Sequence, residues 1–165
     1  MEGDLSKLEN LSYNPFKKFH EQWGVVTAGT KEKFNSMTIS WGSMGTIWGK
    51  PMITVFIRPH RYTYEFLNSN DYFTVSFYDE KYRNELSLIG NKSGRDIDKV
   101  KETKFTPKFL DKGITYEEAK ETFVLKKWFV QLMDHEKFPQ EVKQVYYTEG
   151  DLPHYMFIGL VVDKC

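Results

Sequence analysis

The segment that decides the predicted fold is "NSMTISWGSMGTIWGKP", residues 35–51. Its first seven residues alternate, so that Met37, Ile39 and Trp41 face one side of a strand and the hydroxyl side chains face the other. Those hydroxyl residues are Ser36, Thr38 and Ser40. The glycine-rich residues 42–49 are predicted to form turns, and residues 51–58, "PMITVFIR", form a second, strongly apolar strand with proline at its start.

Working outward from this segment, the apolar patterns predict strands and short helices in no regular β-α-β order. Further strands are predicted at residues 23–30, 71–78, 122–136 and 154–163, and helices at 61–70, 80–90 and 139–147. Residues 92–105 fit a helix or a loop, and 114–123 a helical turn or a hairpin corner. We predict a mainly β (α+β) fold, an antiparallel barrel of six or so strands with short flanking helices. Residues 1–165 form one domain, with 1–20 as a lead-in.

Composition restricts the classes of partner and compartment. The 23 basic and 23 acidic residues leave no positive excess, which argues against a general nucleic-acid binder and against a polybasic membrane anchor. The N-terminal "MEGDLSKLEN" does not resemble a signal peptide, and no run of about 18 apolar residues occurs. The single cysteine, Cys165, excludes an internal disulfide and has no role that the sequence indicates. We expect a cytoplasmic protein.

Two segments indicate a planar, phosphate-bearing ligand. In 35–49, hydroxyls and glycines let a flat ligand approach, and the tryptophans supply an apolar wall; a polar strand surface followed by a glycine-rich turn explains the same residues. In "IRPHRYTYEF", Arg58 and Arg61 flank the start of a helix whose first residues are Tyr62 and Thr63. Free amides at a helix start and a nearby arginine favour an anion, although an ordinary helix start with surface arginines also fits.

Residues 91–100 and His154 could contact a ligand, but a purely structural role also explains each of them. In "NKSGRDIDKV", Lys92, Ser93 and Gly94 could contact a ligand, or Ser93 and Asp96 could form a capping box. His154 opens the last strand and could be structural or lie over a cofactor. The histidine spacing predicts no metal site, and the chain contains no nucleophile elbow, P-loop or dinucleotide fingerprint.

Taken together, the segments "NSMTISWGSMGTIWGKPMITVFIRPHRYT", "SGRDIDK" and "HYMFIGLVVD" resemble the flavin reductase-like family, and in particular its flavoredoxin-type branch. The resemblance spans residues 20–163 and implies a split β-barrel that forms a homodimer and binds FMN near the subunit interface. By position it implies the following flavin-binding residues: Asn35, Ser36, Met37, Thr38, Ser40, Trp41, Arg58, Arg61, Tyr62, Thr63, Lys92, Ser93 and Gly94. His154 matches a family histidine and is a possible catalytic residue.

This chain departs from the family pattern at two places. Leu160 stands where related sequences often carry an acidic residue, so any role of that carboxylate is in doubt here. Residues 90–92 lack the cysteine that relatives often carry, so we expect no cysteine chemistry.

Three functions are compatible with the sequence. The first is an NAD(P)H-dependent flavin reductase that passes a hydride to FMN, with NADH or NADPH as the reductant. The second is a flavoredoxin-like electron carrier that holds FMN and exchanges electrons with a redox partner protein. The third is a cofactor-free β-barrel binding module. FMN carries the redox chemistry itself, which explains the absence of a catalytic triad.

Overall fold

The computed structural model describes residues 5–165 of the chain, apart from the side chains of residues 5 and 7. Residues 1–4 of the predicted lead-in therefore lie outside the described part. The strands are β1 (Gly24–Gly29), β2 (Phe34–Ile39), β3 (Gly42–Ile47), β4 (Lys50–Ile57), β5 (Tyr72–Phe77), β6 (Pro107–Leu110), β7 (Gly113–Tyr116), β8 (Glu121–Leu132) and β9 (Tyr155–Lys164). The α-helices are α1 (Pro15–Lys17), α2 (Tyr62–Ser69), α3 (Arg83–Asn91), α4 (Lys99–Thr103) and α5 (Gln140–Tyr146). Single helical turns of other types cover Leu5–Leu8, Lys18–Gln22, Glu80–Tyr82 and His135–Lys137.

Seven antiparallel strands form the main sheet in the order β2-β1-β5-β8-β9-β4-β3. Strands β2 and β3 lie at its two edges, yet only Ser40 and Trp41 connect them. Three Cα–Cα steps span at most about 11 Å, whereas six interstrand spacings of a flat sheet would separate its edges by about 29 Å. The sheet must therefore curl until its edges meet, which it does without pairing β2 to β3. This is a split barrel, and the predicted fold class is confirmed.

The barrel is filled by buried side chains from six strands of the main sheet, β1, β2, β4, β5, β8 and β9, and the edge strand β3 adds the partly buried Met44. Its largest fully buried members include Phe73, Phe77, Phe123 and Phe157. Burial of an aromatic side chain of this size contributes roughly 2–3 kcal/mol at about 25 cal/mol per Å² of apolar surface. The interior is thus packed, and any ligand must bind at the outside of the barrel or at its rim.

The predicted strands and helices are largely present, but the structure differs from the prediction at four places. Residues 42–47, predicted as turns, form the edge strand β3, and the hairpin β6-β7 was not predicted. Strand β8 ends at Leu132, because Asp134 accepts a hydrogen bond from the amide of Glu136 and starts a helical turn. Helix α3 continues one residue beyond the predicted end, so Gly90 lies inside it, where a Cβ would sit 3.1 Å from Cβ of Thr38. Its missing side chain lets α3 pack on β2.

The hairpin between β3 and β4 explains one of the glycines of the opening segment. Trp48 and Gly49 form its two-residue turn, with φ angles of 54° and 68°. Positive φ at both central residues is typical of the tight hairpin turn that matches strand twist, and glycine adopts it without steric cost. Gly49 therefore serves the turn, and it does not line either of the cavities described below.

Candidate functional site

Three of the segments singled out in the sequence meet around one cavity of about 340 Å³, which we call the polar cavity. It lies between the start of β2, the start of α2 and the loop that joins α3 to α4. Its lining residues are Asn35, Met37, His60, Arg61, Tyr62, Thr63, Asn91, Lys92, Ser93, Gly94, Arg95, Asp96 and Lys99. Eight of the thirteen predicted binding residues belong to this lining: Asn35, Met37, Arg61, Tyr62, Thr63, Lys92, Ser93 and Gly94.

Asn35 joins the three segments at the floor of the polar cavity. Its buried side chain donates a hydrogen bond from Nδ2 to Oγ1 of Thr63, at 2.8 Å, which ties β2 to the first turn of α2. Gly94 lies directly against the same side chain, since a Cβ at this position would overlap Oδ1 and lie 2.9 Å from Cγ of Asn35. Only a glycine lets the loop approach this closely, so the shape of the cavity depends on both residues.

Arg61 places a guanidinium beside the amino end of α2. The first amides of a helix have no acceptor within the helix, so those of Tyr62 and Thr63 are available to an anion. Arg61 donates from Nη2 to the carbonyl oxygen of Gly90, at 2.6 Å, which holds the guanidinium half-buried. Burial lowers the pKa of Arg61, but an arginine remains charged at any physiological pH.

The remaining charges of the polar cavity are mostly positive. Lys92, Arg95 and Lys99 add to Arg61, and Asp96 is the only carboxylate in the lining. Arg95 forms an exposed ion pair with Glu65 and also donates to the carbonyl oxygen of His60, at 3.1 Å. An excess of fixed positive charge in a concave site favours an anionic ligand.

Two of the three predicted ligand-facing hydroxyls, those of Ser36 and Thr38, are bonded inside the protein. The buried Oγ of Ser36 lies 2.7 Å from Oγ1 of Thr27 and 2.8 Å from Oη of Tyr116. Thr38 donates from Oγ1 to the carbonyl oxygen of Leu86, at 2.6 Å. These hydroxyls are satisfied inside the protein and fix β2 against β1, β7 and α3.

Ser40 and Trp41 line a second and larger cavity, of about 620 Å³, which we call the apolar cavity. Its walls come from residues 15–20, the corner between β2 and β3, Phe56 and residues 133–147. Its lining residues are Pro15, Phe16, Phe19, His20, Ser40, Trp41, Gly42, Ser43, Met44, Phe56, Met133, Phe138, Pro139, Val142, Tyr146 and Tyr147. No aspartate, glutamate, lysine or arginine is among them, so this cavity suits a flat, uncharged group.

His154 is buried behind the apolar cavity and is held there as a neutral ring. Its ring centroid lies 4.8 Å from that of Trp41, and its Nδ1 lies 2.7 Å from Oη of Tyr147. Burial, with the nearby charge of Arg58, lowers the pKa of His154 to about 4. The histidine contacts Trp41 but is absent from the lining of either cavity.

Arg58, one of the predicted binding residues, does not line the polar cavity, and its flavin-binding role stays a prediction. It donates from Nη2 to the carbonyl oxygen of Tyr146, at 2.6 Å, and lies 3.5 Å from a carboxylate oxygen of Asp151. Its guanidinium also lies over the ring of Tyr147, 5.3 Å from the centroid. Residues 59 and 60 turn the chain between the two arginines, so Arg58 holds residues 146–151 beside the apolar cavity.

The loop after α3 and Lys99 differ from what the sequence indicated. Ser93 and Asp96 do not form a capping box, because α4 begins at Lys99 and is capped by Asp98, which accepts from the amide of Lys101 at 3.1 Å. Lys99 was not among the predicted binding residues, whereas it lines the polar cavity and is buried. Its place at the first position of a short helix gives no signal of burial in a single sequence.

Within residues 5–165, no group of three or more histidine, cysteine, aspartate or glutamate side chains is arranged to hold a metal ion. No helix among these residues is both long and apolar enough to cross a membrane.

Comparison with known proteins gives one family and several similar structures. The family model described as "Flavin reductase like domain" matches residues 16–163. Flavoredoxin from Methanosarcina acetivorans is similar in structure, with 20% identity, a TM-score of 0.67, and 87% of this chain and 67% of that chain covered. The FMN-binding protein from Thermus thermophilus with bound 1-cyclohex-2-enone shares 23% identity, with a TM-score of 0.67 over 95% of this chain and 79% of that chain. The styrene monooxygenase flavin reductase from Pseudomonas putida S12 shares 16% identity, with a TM-score of 0.62 over 87% and 79%. No curated protein sequence matches the chain.

Proposed function

The chain belongs to the flavin reductase-like domain family, and from this premise we propose that it is an FMN-binding flavoprotein that transfers a hydride from NADH or NADPH to FMN. One observation carries the proposal. The segments 35–37, 60–63 and 91–96, which are far apart in sequence, meet around a cavity with an excess of positive charge. A phosphate monoester is the anion that the family membership leads us to expect there.

The polar cavity fits the phosphate of FMN in charge and in hydrogen-bond donors. Arg61 and the amides at the start of α2 are adjacent donors, and helix starts and arginines are the usual phosphate ligands in proteins. Lys92 and Ser93 supply further donors from the opposite wall. Asn35 and Gly94 shape the cavity between these walls.

The flat ring of FMN would lie along β2, from Met37 toward Ser40 and Trp41. Met37 lines the polar cavity, and Ser40 and Trp41 line the apolar cavity, so strand β2 passes from one cavity to the other. On this path the hydroxyls of Ser36 and Thr38 are bonded elsewhere, and the carbonyl oxygen of Ser36 accepts from Lys99, so the ring would meet other backbone atoms of these residues. A ligand with a charged tail and an apolar ring would place its tail in the polar cavity and its ring toward the apolar cavity.

FMN, when bound, supplies an electron-accepting ring, and the protein needs to contribute binding, orientation and electrostatics rather than a nucleophile. Trp41 and the rings around it would limit the access of water to the apolar end. The neutral His154, bonded to Tyr147, brings no charge to this end of the site. His154 is a positioning residue in this proposal, since its ring holds the inner side of Trp41.

The experiment that tests the proposal is a titration of the purified protein with FMN, followed by steady-state oxidation of NADH and of NADPH. We expect a visible absorbance spectrum of bound flavin and turnover with at least one nicotinamide. Absence of flavin binding would contradict the whole proposal, whereas binding without turnover would contradict only the reductase activity.

A second candidate is an electron carrier of the flavoredoxin type, which holds FMN and receives electrons from a redox partner protein. The feature that favours it is the lack of any dinucleotide fingerprint in residues 1–165, together with the similarity in fold to flavoredoxin. Slow nicotinamide oxidation combined with fast reduction by a low-potential protein donor would favour the carrier over the reductase.

We also propose that the chain forms a homodimer, as the family resemblance implies. Exposed apolar side chains support the proposal: Trp48 and Trp128 are 61% and 44% exposed, with ring centroids 6.1 Å apart. Sedimentation equilibrium measures the mass in solution, and a monomer at micromolar concentration would contradict the dimer.

A further inference from the structure

Lys99 is a buried lysine at the back of the polar cavity. Its residue surface is 7% exposed, although lysine is among the residues that are least often buried. The ammonium donates from Nζ to the carbonyl oxygen of Ser36, at 2.6 Å, and to that of Ile89, at 2.8 Å. Lys99 thus links the start of β2 to the carboxyl end of α3. An ammonium has three donors, so one donor remains beyond these two bonds.

The partners of Lys99 are carbonyls and not a carboxylate. Within residues 5–165, no carboxylate oxygen forms an ion pair with its ammonium. Carbonyls at a helix end stabilise a cation only partly, and an unpaired charge is costly to bury. Burial, with the charge of Arg61, lowers the pKa of Lys99 to about 8. The described residues therefore supply no counter-ion to this buried ammonium.

Arg61 repeats this arrangement one residue further along α3. Its guanidinium donates to the carbonyl oxygen of Gly90, directly after the carbonyl of Ile89 that Lys99 occupies. Two like charges are thus held side by side on consecutive carbonyls, and both line the polar cavity. Such a pair is unfavourable in the empty protein and becomes favourable when an anion lies between the two charges.

On a second side, Lys99 lines another cavity together with Glu32, Asp96 and Asp98, but none of these carboxylates forms an ion pair with its ammonium. The loop after α3 brings Lys92, Arg95 and Asp96, and Asp96 is the only carboxylate that lines the polar cavity. At the start of α4, Asp98 accepts from the amide of Lys101. From β7, the hydroxyl of Tyr116 is bonded to Ser36, and burial raises the pKa of Tyr116 to about 12, so this phenol stays neutral. His60, from the α2 side, has a pKa lowered by burial.

We propose that Lys99 binds the phosphate group of FMN with its third donor, while its other two donors hold β2 and α3 in place on either side of that group. This inference rests on the proposed function and adds a residue to it. The chemical class of the ligand is a phosphate monoester dianion, and Lys99 and Arg61 hold it from the α3 side of the cavity.

The experiment compares FMN with riboflavin, which has the same ring and lacks the phosphate. Dissociation constants for both ligands are measured by flavin fluorescence for the wild type, Lys99→Met, Lys99→Arg and Lys101→Met, the last as a control at an exposed lysine of the same helix. We expect Lys99→Met to weaken FMN binding at least tenfold and riboflavin binding less than twofold. The Lys99→Arg variant should retain part of the FMN affinity, and Lys101→Met should match the wild type.

A purely structural role for Lys99 gives a different result. If Lys99 only holds β2 to α3, Lys99→Met weakens FMN and riboflavin by the same factor, and that result overturns the proposal, as does unchanged binding of both. If Lys99→Met does not fold, a pH series on the wild type decides the question. The ratio of FMN to riboflavin affinity should fall above pH 8 in the wild type and stay constant in Lys99→Arg, and a constant ratio in both overturns the proposal.

Failure of the proposed function can be distinguished from failure of this inference. If the wild type binds neither flavin, it is not an FMN protein, and inorganic phosphate becomes the probe. Stabilisation of the wild type against thermal unfolding by phosphate, lost in Lys99→Met, supports the anion site at Lys99. Equal stabilisation of both proteins, or of neither, overturns it.

Discussion

Replacing Gly94 with alanine tests whether the close contact between the α3-α4 loop and β2 shapes the ligand site. The added methyl group would overlap Oδ1 of Asn35, and it would lie 2.9 Å from Cγ of Asn35 and 3.1 Å from Cδ1 of Tyr62. Asn35 cannot move away easily, because it is bonded to Thr63 at 2.8 Å and its backbone is paired with Ala28 in the sheet. The loop that carries Lys92 and Ser93 must therefore shift outward.

The size of the effect follows from the cost of such overpacking. An extra methyl group in a well-packed position costs about 1–3 kcal/mol, and if the bound state must restore the original loop position, the same energy is lost from binding. This corresponds to a roughly 5- to 150-fold higher dissociation constant for FMN, that is, weaker binding. Because the loop is at the surface, we expect the free protein to relax and its thermal midpoint to change little.

The assay is a fluorescence titration with FMN, and Gly45→Ala is the matched control. Gly45 lies in the edge strand β3, and a Cβ there has no heavy atom within 4 Å. We expect Gly45→Ala to bind FMN as the wild type does. Equal affinity of Gly94→Ala and Gly45→Ala would refute the assignment of this loop to the ligand site.

Three further predictions concern the residues around the two cavities. Arg61→Ala should weaken FMN binding by about 1.5–3 kcal/mol, the value of a hydrogen bond to a charged group. An unchanged affinity, measured by calorimetry, would contradict the role of Arg61 in binding. Thr38→Val removes the hydrogen bond to the carbonyl oxygen of Leu86, so it should lower the free energy of unfolding, measured in urea, by about 1 kcal/mol. A large loss of FMN affinity without a loss of stability would show instead that the hydroxyl faces the ligand. The pKa of His154 is about 4 in the folded protein and about 6.5 in the unfolded protein. Between these pH values the unfolded state binds more protons than the folded state, so the free energy of unfolding should fall as the pH is lowered from 6.5 to 4. This fall should be smaller in His154→Gln, and identical pH profiles from urea unfolding would show that His154 titrates normally.

The sequence was sufficient for the parts of the fold that depend on local patterns. The alternation in residues 35–41 predicted β2, and the apolar run 51–58 predicted β4, because each pattern has the period of a strand. The edge strand β3 was missed because its glycines are poor strand formers, and its pairing with β4 outweighs that preference. The family and the fold class inferred from the motifs are confirmed.

The candidate site was predictable only in part, because its details depend on tertiary contacts. Ser36 finds its partners in Thr27 and Tyr116, and Thr38 in Leu86, none of which the strand pattern of residues 35–41 could indicate. Arg58 and Arg61 are three residues apart, yet they bond to different segments. The burial of Lys99 depends on carbonyls of β2 and α3 that only the folded chain brings together. The flavin-binding roles of all these residues stay predictions.

The most direct test of the central claim is a crystal structure of the protein grown with FMN. We predict that the phosphate lies in the polar cavity, within hydrogen-bond distance of Arg61 and of the amides of Tyr62 and Thr63, with the flavin ring along β2 toward Trp41. Crystals that contain FMN elsewhere, with only water at Arg61 and at the start of α2, would contradict the account.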